Sequence, residues 1–159
     1  MTPREHKYII DSNALINLKG KANIESIWPE VVRLIENDRL KTVAEVICEL
    51  KNWPGVFALI RPHQSKLKIG SNTEYAPGVT GWFKGIELLS PGLIDYAAVG
   101  DCEPADPWLI AVALEYGYTV VTNEKRKGSG CHNRIPYALE QLGGRSLDLR
   151  SFLSEVGIE

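Results

Sequence analysis

Three acidic residues stand where the predicted elements of this chain begin or end. Asp11 directly follows an apolar stretch, Tyr8–Ile10, that predicts a strand buried in a sheet. Glu124 follows a second predicted strand at Thr119–Thr122, and Asp106 begins the clearest predicted helix. Ligands of open α/β sheets bind at the carboxyl ends of the strands. The three carboxylates therefore predict one shared acidic pocket.

A fourth carboxylate is available on a predicted helix at residues 44–52. Glu45 and Glu49 are four residues apart and share one helix face, where either could join the pocket or simply be solvated. Like charges close together repel, so such a cluster persists where a cation neutralises it. Oxygen ligands alone suit Mg²⁺ or Mn²⁺. The matching chemistry is phosphodiester hydrolysis, although helix capping alone would also explain Asp106 before a proline.

The carboxylates depend on strands and helices that alternate along the chain. Strands are predicted at residues 7–11, 40–43, 118–122 and 145–147, and helices at residues 44–52, 106–116, 137–142 and 149–156. Asp106 is expected to be the N-cap of its helix, and Gly117 is expected to end that helix. The alternation predicts an α/β fold with three layers, α/β/α, around a central, mostly parallel sheet of four to five short strands. Residues 62–100 show no clear pattern.

Composition indicates a globular chain. With 159 residues, 44% of them hydrophobic and 24% charged, we expect a single domain over residues 1–159 with a substantial core. The net charge of −2 excludes a strongly basic surface, so nucleic acid would need a local patch. No apolar run approaches the roughly 18 residues that span a bilayer. Because neither a signal peptide nor a C-x-x-C pair is visible, we expect a cytoplasmic protein with three reduced thiols, Cys48, Cys102 and Cys131.

Four segments of the chain, taken in order, resemble the successive motifs of PIN domains. These segments are Tyr8–Asn13, Val46–Leu50, Asp106–Ala113 and Val120–Glu124. PIN domains are metal-dependent ribonucleases, and many small bacterial and archaeal ones are VapC-type toxins of toxin–antitoxin pairs. The resemblance implies a PIN-like fold, an RNA substrate, Mg²⁺ or Mn²⁺ as cofactor, a cognate antitoxin protein and a homodimer.

Carried over position by position, the resemblance implies four metal-binding and catalytic acids: Asp11, Glu49, Asp106 and Glu124. A one-turn error in this alignment would exchange Glu49 for Glu45, and Glu103 could supply a further carboxylate. The hydroxyl and amide side chains next to the acids would support them: Ser12, Asn13, Thr122 and Asn123. The basic run after the fourth acid could hold RNA phosphates or could be a solvated loop: Lys125, Arg126 and Lys127.

Two departures from the PIN pattern leave alternatives open. The fourth acid is Glu124 where Asp is commoner, so it could reach a metal through water, and the segment 52–104 is longer than the middle of compact PIN toxins.

An aspartyl phosphatase would need a second Asp two residues after Asp11, where this chain has Asn13. A PIN-fold module that binds RNA or protein without catalysis would have no use for a repulsive set of carboxylates.

Overall fold

The computed structural model describes residues 6–69, 75–89, 102, 104–125 and 134–159. Its strands are β1 (Tyr8–Ile10), β2 (Leu40–Val43), β3 (Lys68–Ile69), β4 (Thr119–Val121) and β5 (Ser146–Leu147). They form one sheet in the order β3-β2-β1-β4-β5, and every neighbouring pair is parallel. The predicted central sheet is therefore confirmed, and its described strands are parallel throughout.

Helices cover both faces of the sheet, which gives the predicted three-layer α/β/α arrangement. In chain order they are α1 (Ser12–Lys19), α2 (Ile24–Glu36), α3 (Ala44–Leu50), α4 (Pro54–Ile60), α5 (Gln64–Leu67), α6 (Pro77–Leu89), α7 (Asp106–Tyr116), α8 (Ile135–Leu142) and α9 (Leu149–Glu155). On one face α7 packs against α6 and α8, and on the other α1 packs against α3, α4 and α9. Within the part of the chain that the structure describes, none of these helices has the length and apolarity to cross a membrane.

The chain reverses its direction of travel across the sheet beside β1. It moves outward from β1 to β2 and β3, and then returns to form β4 on the other side of β1. The carboxyl ends of β1 and β4 therefore flank a switch point, where ligands of such sheets bind. Sheet hydrogen bonds continue past both strands, since Asp11 N donates to Val121 O and Thr122 N donates to Leu147 O, each at 2.9 Å. The residues that follow the strands are thus held in register.

Burial from both faces explains the apolar sequences of the central elements. Ile9, Ile10, Val120 and Val121 have no solvent exposure, as central parallel strands require. Helix α7 is buried on all sides from Pro107 to Ala113 rather than along a single stripe. Polar side chains can therefore be accommodated only at the ends of these elements, which is where the candidate acids stand.

Local predictions about α7 and the middle of the chain had different outcomes. Asp106 is the first residue of α7 and Ala105 is the N-cap, so the prediction that Asp106 caps the helix was wrong. Gly117 does end α7, with a φ of 74° that suits glycine. The middle of the chain, which showed no clear pattern, contains α5, α6 and β3. The two residues of β3 are too few to show a periodicity.

Candidate metal centre

Asp11 lies at the carboxyl end of β1 and has only 2% of its surface exposed. Its Oδ1 accepts hydrogen bonds from Ser12 N at 2.6 Å and Ser12 Oγ at 3.3 Å, and its Oδ2 accepts one from Thr122 Oγ1 at 3.0 Å. Burial, followed by the charge of Glu124, nevertheless raises the pKa of Asp11 to about 7. The carboxylate is held in one orientation but is costly to ionise.

Asp106 and Glu124 complete a compact group with Asp11, which we call the acidic group. One carboxylate oxygen from each of the three residues lies within 4.8 Å of those of the other two, which confirms their predicted proximity. Burial, then the charges of Asp11 and Glu124, raise the pKa of Asp106 well above its ordinary value. Burial also raises the pKa of Glu124, against the lowering effects of the Ile135 amide, Asp106 and Arg134. Full ionisation of the three carboxylates is therefore unfavourable in the folded protein.

The side chain of Glu124 is directed toward the other acids by contacts with its own loop and with α8. Glu124 N donates to Thr122 Oγ1 at 3.2 Å, and Ile135 N donates to Glu124 Oε2 at 2.8 Å. A side-chain hydrogen bond joins Glu124 to Asp106. The longer arm of glutamate thus reaches the neighbouring carboxylate directly.

The two glutamates of α3 have different partners. Glu49 Oε2 accepts a hydrogen bond from Ser12 Oγ at 3.1 Å, so Ser12 bridges Glu49 and Asp11. Burial raises the pKa of Glu49 to about 7. Glu45 is also buried, but its Oε1 accepts a hydrogen bond from Tyr75 Oη at 2.8 Å. Glu49 therefore lies beside the acidic group, outside the 4.8 Å set of three, whereas Glu45 is turned toward Tyr75.

The supporting side chains predicted around the acids form one hydrogen-bond network. Asn13 Nδ2 donates to Thr122 Oγ1 at 3.4 Å, and Asn13 Oδ1 accepts from Asn123 N at 3.0 Å. Asn123 Oδ1 in turn accepts from Leu149 N at 2.8 Å, at the start of α9. Together with the contacts of Ser12, this network connects the ends of β1 and β4 to α1 and α9.

An aromatic stack centred on Trp108 was not predicted from the sequence. Trp108, two residues after Asp106, stacks on Tyr75 with ring centroids 4.7 Å apart and on Phe83 with centroids 4.2 Å apart. Tyr75 is also the residue that binds Glu45. The three rings come from two segments that are far apart in the chain, so no local spacing could have indicated their contact.

A disulfide joins Cys48 to Cys102, which corrects the prediction of three reduced thiols. Cys48 directly precedes Glu49 in α3, and Cys102 is four residues before Asp106 in the sequence. The bond therefore ties the helix of one candidate acid to the segment that leads to another. The two cysteines are 54 residues apart and form no spacing motif, and Cys131 lies outside the described residues.

Three of the predicted site residues belong to segments that the structure does not describe. Glu103, Arg126 and Lys127 lie outside the described residues. Lys125 is described and is exposed directly after Glu124. The basic run is therefore represented by one lysine next to the acidic group.

The acidic group has the composition that a hard divalent cation requires. All three donors are carboxylate oxygens, and Mg²⁺ or Mn²⁺ binds through one or two carboxylates while keeping several waters. Burial first, and then the neighbouring carboxylates, raise the pKa values of Asp11 and Asp106, so ionising the whole group is unfavourable without a cation. A cation would supply positive charge and displace the protons. The residues present therefore fit such an ion.

Comparison with protein families places the whole site within one family. Residues 8–159 match the family model described as Domain of unknown function (DUF4411). The chain belongs to the DUF4411 family. The match runs from β1 to the end of the chain, so the acidic group and Glu49 are all parts of the DUF4411 region. A search of curated proteins finds no match.

Proposed function

We propose that this DUF4411 protein is a metal-dependent endoribonuclease that hydrolyses RNA phosphodiester bonds. The observation that carries the proposal is the acidic group, whose three oxygens lie within 4.8 Å of one another at the switch point of the sheet. The order of the motifs along the chain, which resembles that of PIN domains, supports the same activity.

The acidic group would hold Mg²⁺ or Mn²⁺ through Asp11, Asp106 and Glu124, with Glu49 beside it through Ser12. When bound, the ion activates a water nucleophile and stabilises negative charge on the phosphate and on the leaving oxygen. The remaining work belongs to the side chains of the protein itself.

Hydrogen bonds position the acids before any ligand arrives. Ser12 and Thr122 donate to different oxygens of Asp11, which restricts rotation of that carboxylate. Such preorganisation lets the site bind without first paying to order its ligands. In the metal-free protein, Asp11 and Glu49 both have a pKa of about 7 and take up protons near neutral pH, and a bound cation would displace those protons.

The substrate we propose is single-stranded or looped RNA, because an unstacked strand can bring its backbone to the acids. From the PIN resemblance we further propose that the protein is the toxin of a toxin–antitoxin pair, bound by a small antitoxin and assembled as a homodimer. A small adjacent gene that encodes a protein with a DNA-binding N-terminus would support the toxin role. Co-expression of the two, followed by size-exclusion chromatography with light scattering, tests both associations.

The nuclease is tested by incubating a labelled RNA pool with Mn²⁺ or with EDTA. We expect the wild-type protein to cut only with Mn²⁺ and Asp11→Asn to be inactive. Glu36→Gln, which changes an exposed glutamate of α2 far from the site, should cut like the wild type. Parallel purification of all three proteins controls for host nucleases.

Two outcomes would contradict the proposal in different ways. Metal-dependent cutting that persists in Asp11→Asn would show that the acidic group is not the active site. No cutting, combined with no Mn²⁺ binding in a calorimetric titration, would instead support a binding module without catalysis.

A further inference from the structure

A groove extends from the acidic group toward β5. Its volume is about 620 Å³, within the roughly 300–1,000 Å³ of small-molecule sites. One wall is the segment after β4, Thr122–Lys125, and the other is formed by the end of β5 and the start of α9. Glu124 belongs both to the acidic group and to this wall. A strand whose phosphate lies at the acids can therefore continue into the groove.

The wall formed after β4 carries the positive charge and the amide of the groove. Lys125 is exposed, and its backbone carbonyl accepts a hydrogen bond from Arg134 Nη1 at 3.3 Å, which anchors the segment. Asn123 is oriented by the hydrogen bond from Leu149 N to its Oδ1, so its Nδ2 amide is the donor that it offers to a ligand. An ammonium group and an amide donor are suited to a phosphate and a sugar hydroxyl.

The opposite wall has an acid that is already committed to the fold. Asp148 Oδ1 accepts a hydrogen bond from Ser151 N at 2.7 Å, which caps α9 and lowers the pKa of Asp148. Its charge is therefore partly satisfied by the helix. Pro136 and Leu147 add apolar surface, on which a sugar ring can pack.

The described lining of the groove contains no aromatic side chain. Proteins that hold single strands by their bases usually stack them on aromatic rings. Tyr75 and Phe83 instead each stack on Trp108, and none of the three lines the groove. Among the described residues, the groove therefore has groups for the backbone of a nucleotide and no aromatic platform for its base.

We propose that this groove binds the sugar-phosphate backbone of the nucleotide next to the cleaved bond, with Lys125 as a phosphate ligand whose contact does not depend on the base. The proposal rests on the proposed ribonuclease function, because it takes RNA as the ligand, and it adds a subsite to that function. Changing the base should leave the Lys125 contact unchanged.

The test measures binding of short labelled rA, rC and rU homopolymers by fluorescence anisotropy over a range of KCl concentrations. An Asp11→Asn background with Mg²⁺ prevents cleavage during the titration. Adding Lys125→Ala should weaken the binding of all three homopolymers by about fivefold, the upper end for one exposed ion pair. The slope of log Kd against log salt should fall by about 0.7, which corresponds to one phosphate contact on a single strand.

Two further variants serve as controls. Lys125→Arg keeps the charge and should retain the wild-type slope. Lys68→Ala removes an exposed lysine from β3, at the opposite edge of the sheet from the groove, and should leave both affinity and slope unchanged. Circular dichroism spectra check that all variants are folded.

The outcomes separate this proposal from the nuclease itself. An unchanged slope in Lys125→Ala, an equal loss in Lys68→Ala, or a loss confined to one homopolymer would overturn the groove proposal. A wild-type protein that cuts RNA but shows any of these results would keep the nuclease and lose the groove. A protein that binds RNA through Lys125 but never cuts it would keep the groove and lose the nuclease.

Discussion

The two ends of the central strands carry acidic side chains under opposite electrostatic conditions. At the amino end, Glu155 of α9 accepts hydrogen bonds from Arg145 Nη2 and Tyr8 Oη, each at 2.5 Å. These partners lower the pKa of Glu155. At the carboxyl end, burial and mutual repulsion raise the pKa values of Asp11 and Asp106. One end has its own cation, and the other has a deficit of positive charge.

We interpret Glu155 as a structural acid, whereas the acidic group has the electrostatic conditions expected of the metal site that we propose. The ion pair of Glu155 and Arg145 favours the folded state at neutral pH. The acidic group opposes folding at neutral pH unless a cation neutralises it. A cost of this kind is typical of functional sites, where local stability is given up for binding. The contrast leads to four predictions.

The largest expected effect comes from the disulfide near the carboxyl end of the strands, where the acidic group lies. Cys48→Ser opens a loop of 54 residues and should lower the free energy of unfolding by about 4 kcal/mol, on loop entropy alone. Urea denaturation without reductant measures the change. Cys131→Ser, which leaves the Cys48–Cys102 pair intact, is the matched control. Equal stability of Cys48→Ser and wild type would show that the bond does not brace the fold.

The second prediction concerns the pH dependence of metal-free stability. Asp11 and Glu49 have pKa values of about 7 in the folded protein, above their ordinary values. Between about pH 4 and pH 7 the folded state therefore binds more protons than the unfolded state, so stability falls as pH rises, by up to about 1.4 kcal/mol per pH unit for each of the two groups. Urea titrations in EDTA across this window measure the slope.

Two changes should reduce the slope of stability against pH. Asp11→Asn removes one titrating group, and saturating Mn²⁺ replaces the protons with a cation. A metal-free slope that is already flat, or one that rises with pH, would mean that the acidic group ionises as easily in the folded protein as in the unfolded chain. At the amino end, the pH dependence of stability has the opposite sign. The lowered pKa of Glu155 stabilises the folded state at neutral pH, and this contribution is lost as the pH becomes acidic.

The third prediction is that substitutions at the carboxyl end of the strands weaken Mn²⁺ binding, whereas those at the amino end do not. Asp11→Asn should weaken Mn²⁺ binding by about 100-fold or more, since it removes a proposed direct ligand and even the residues that support metal ligands contribute 10–100-fold in affinity. Thr122→Val, which removes a hydroxyl that orients Asp11, should cause a smaller loss, within about 10–100-fold. Calorimetric titration provides both values. Equal affinities in the three proteins would place any Mn²⁺ site elsewhere.

The smallest expected effect is at the amino end. Glu155→Gln should lower the free energy of unfolding at pH 7 by less than about 1 kcal/mol, because the ion pair with Arg145 is largely exposed and screened by salt. Its Mn²⁺ affinity should equal that of the wild type. A clear loss of Mn²⁺ affinity in Glu155→Gln would mean that the two ends of the sheet are coupled rather than independent.

The success of sequence-based prediction depended on how completely an element is buried. The strands β1 and β4 and the helix α7 were predicted because burial from all sides leaves unbroken apolar stretches. The strand β3 has two residues, and the pattern of α6 is interrupted by glycines, so neither could be assigned. Asp106 was expected to cap α7, yet the helix begins at that residue.

The sequence alone predicted that Asp11 and Glu124 share a pocket, because side chains that follow buried parallel strands emerge at the same edge of a sheet. Only the tertiary structure distinguished Glu49 from Glu45. Both lie on one face of α3, and their difference comes from contacts with Ser12 and Tyr75, which are distant in the chain. The Cys48–Cys102 bond and the groove beside β5 likewise depend on how segments distant in the chain pack against one another. Local residue patterns cannot predict that packing.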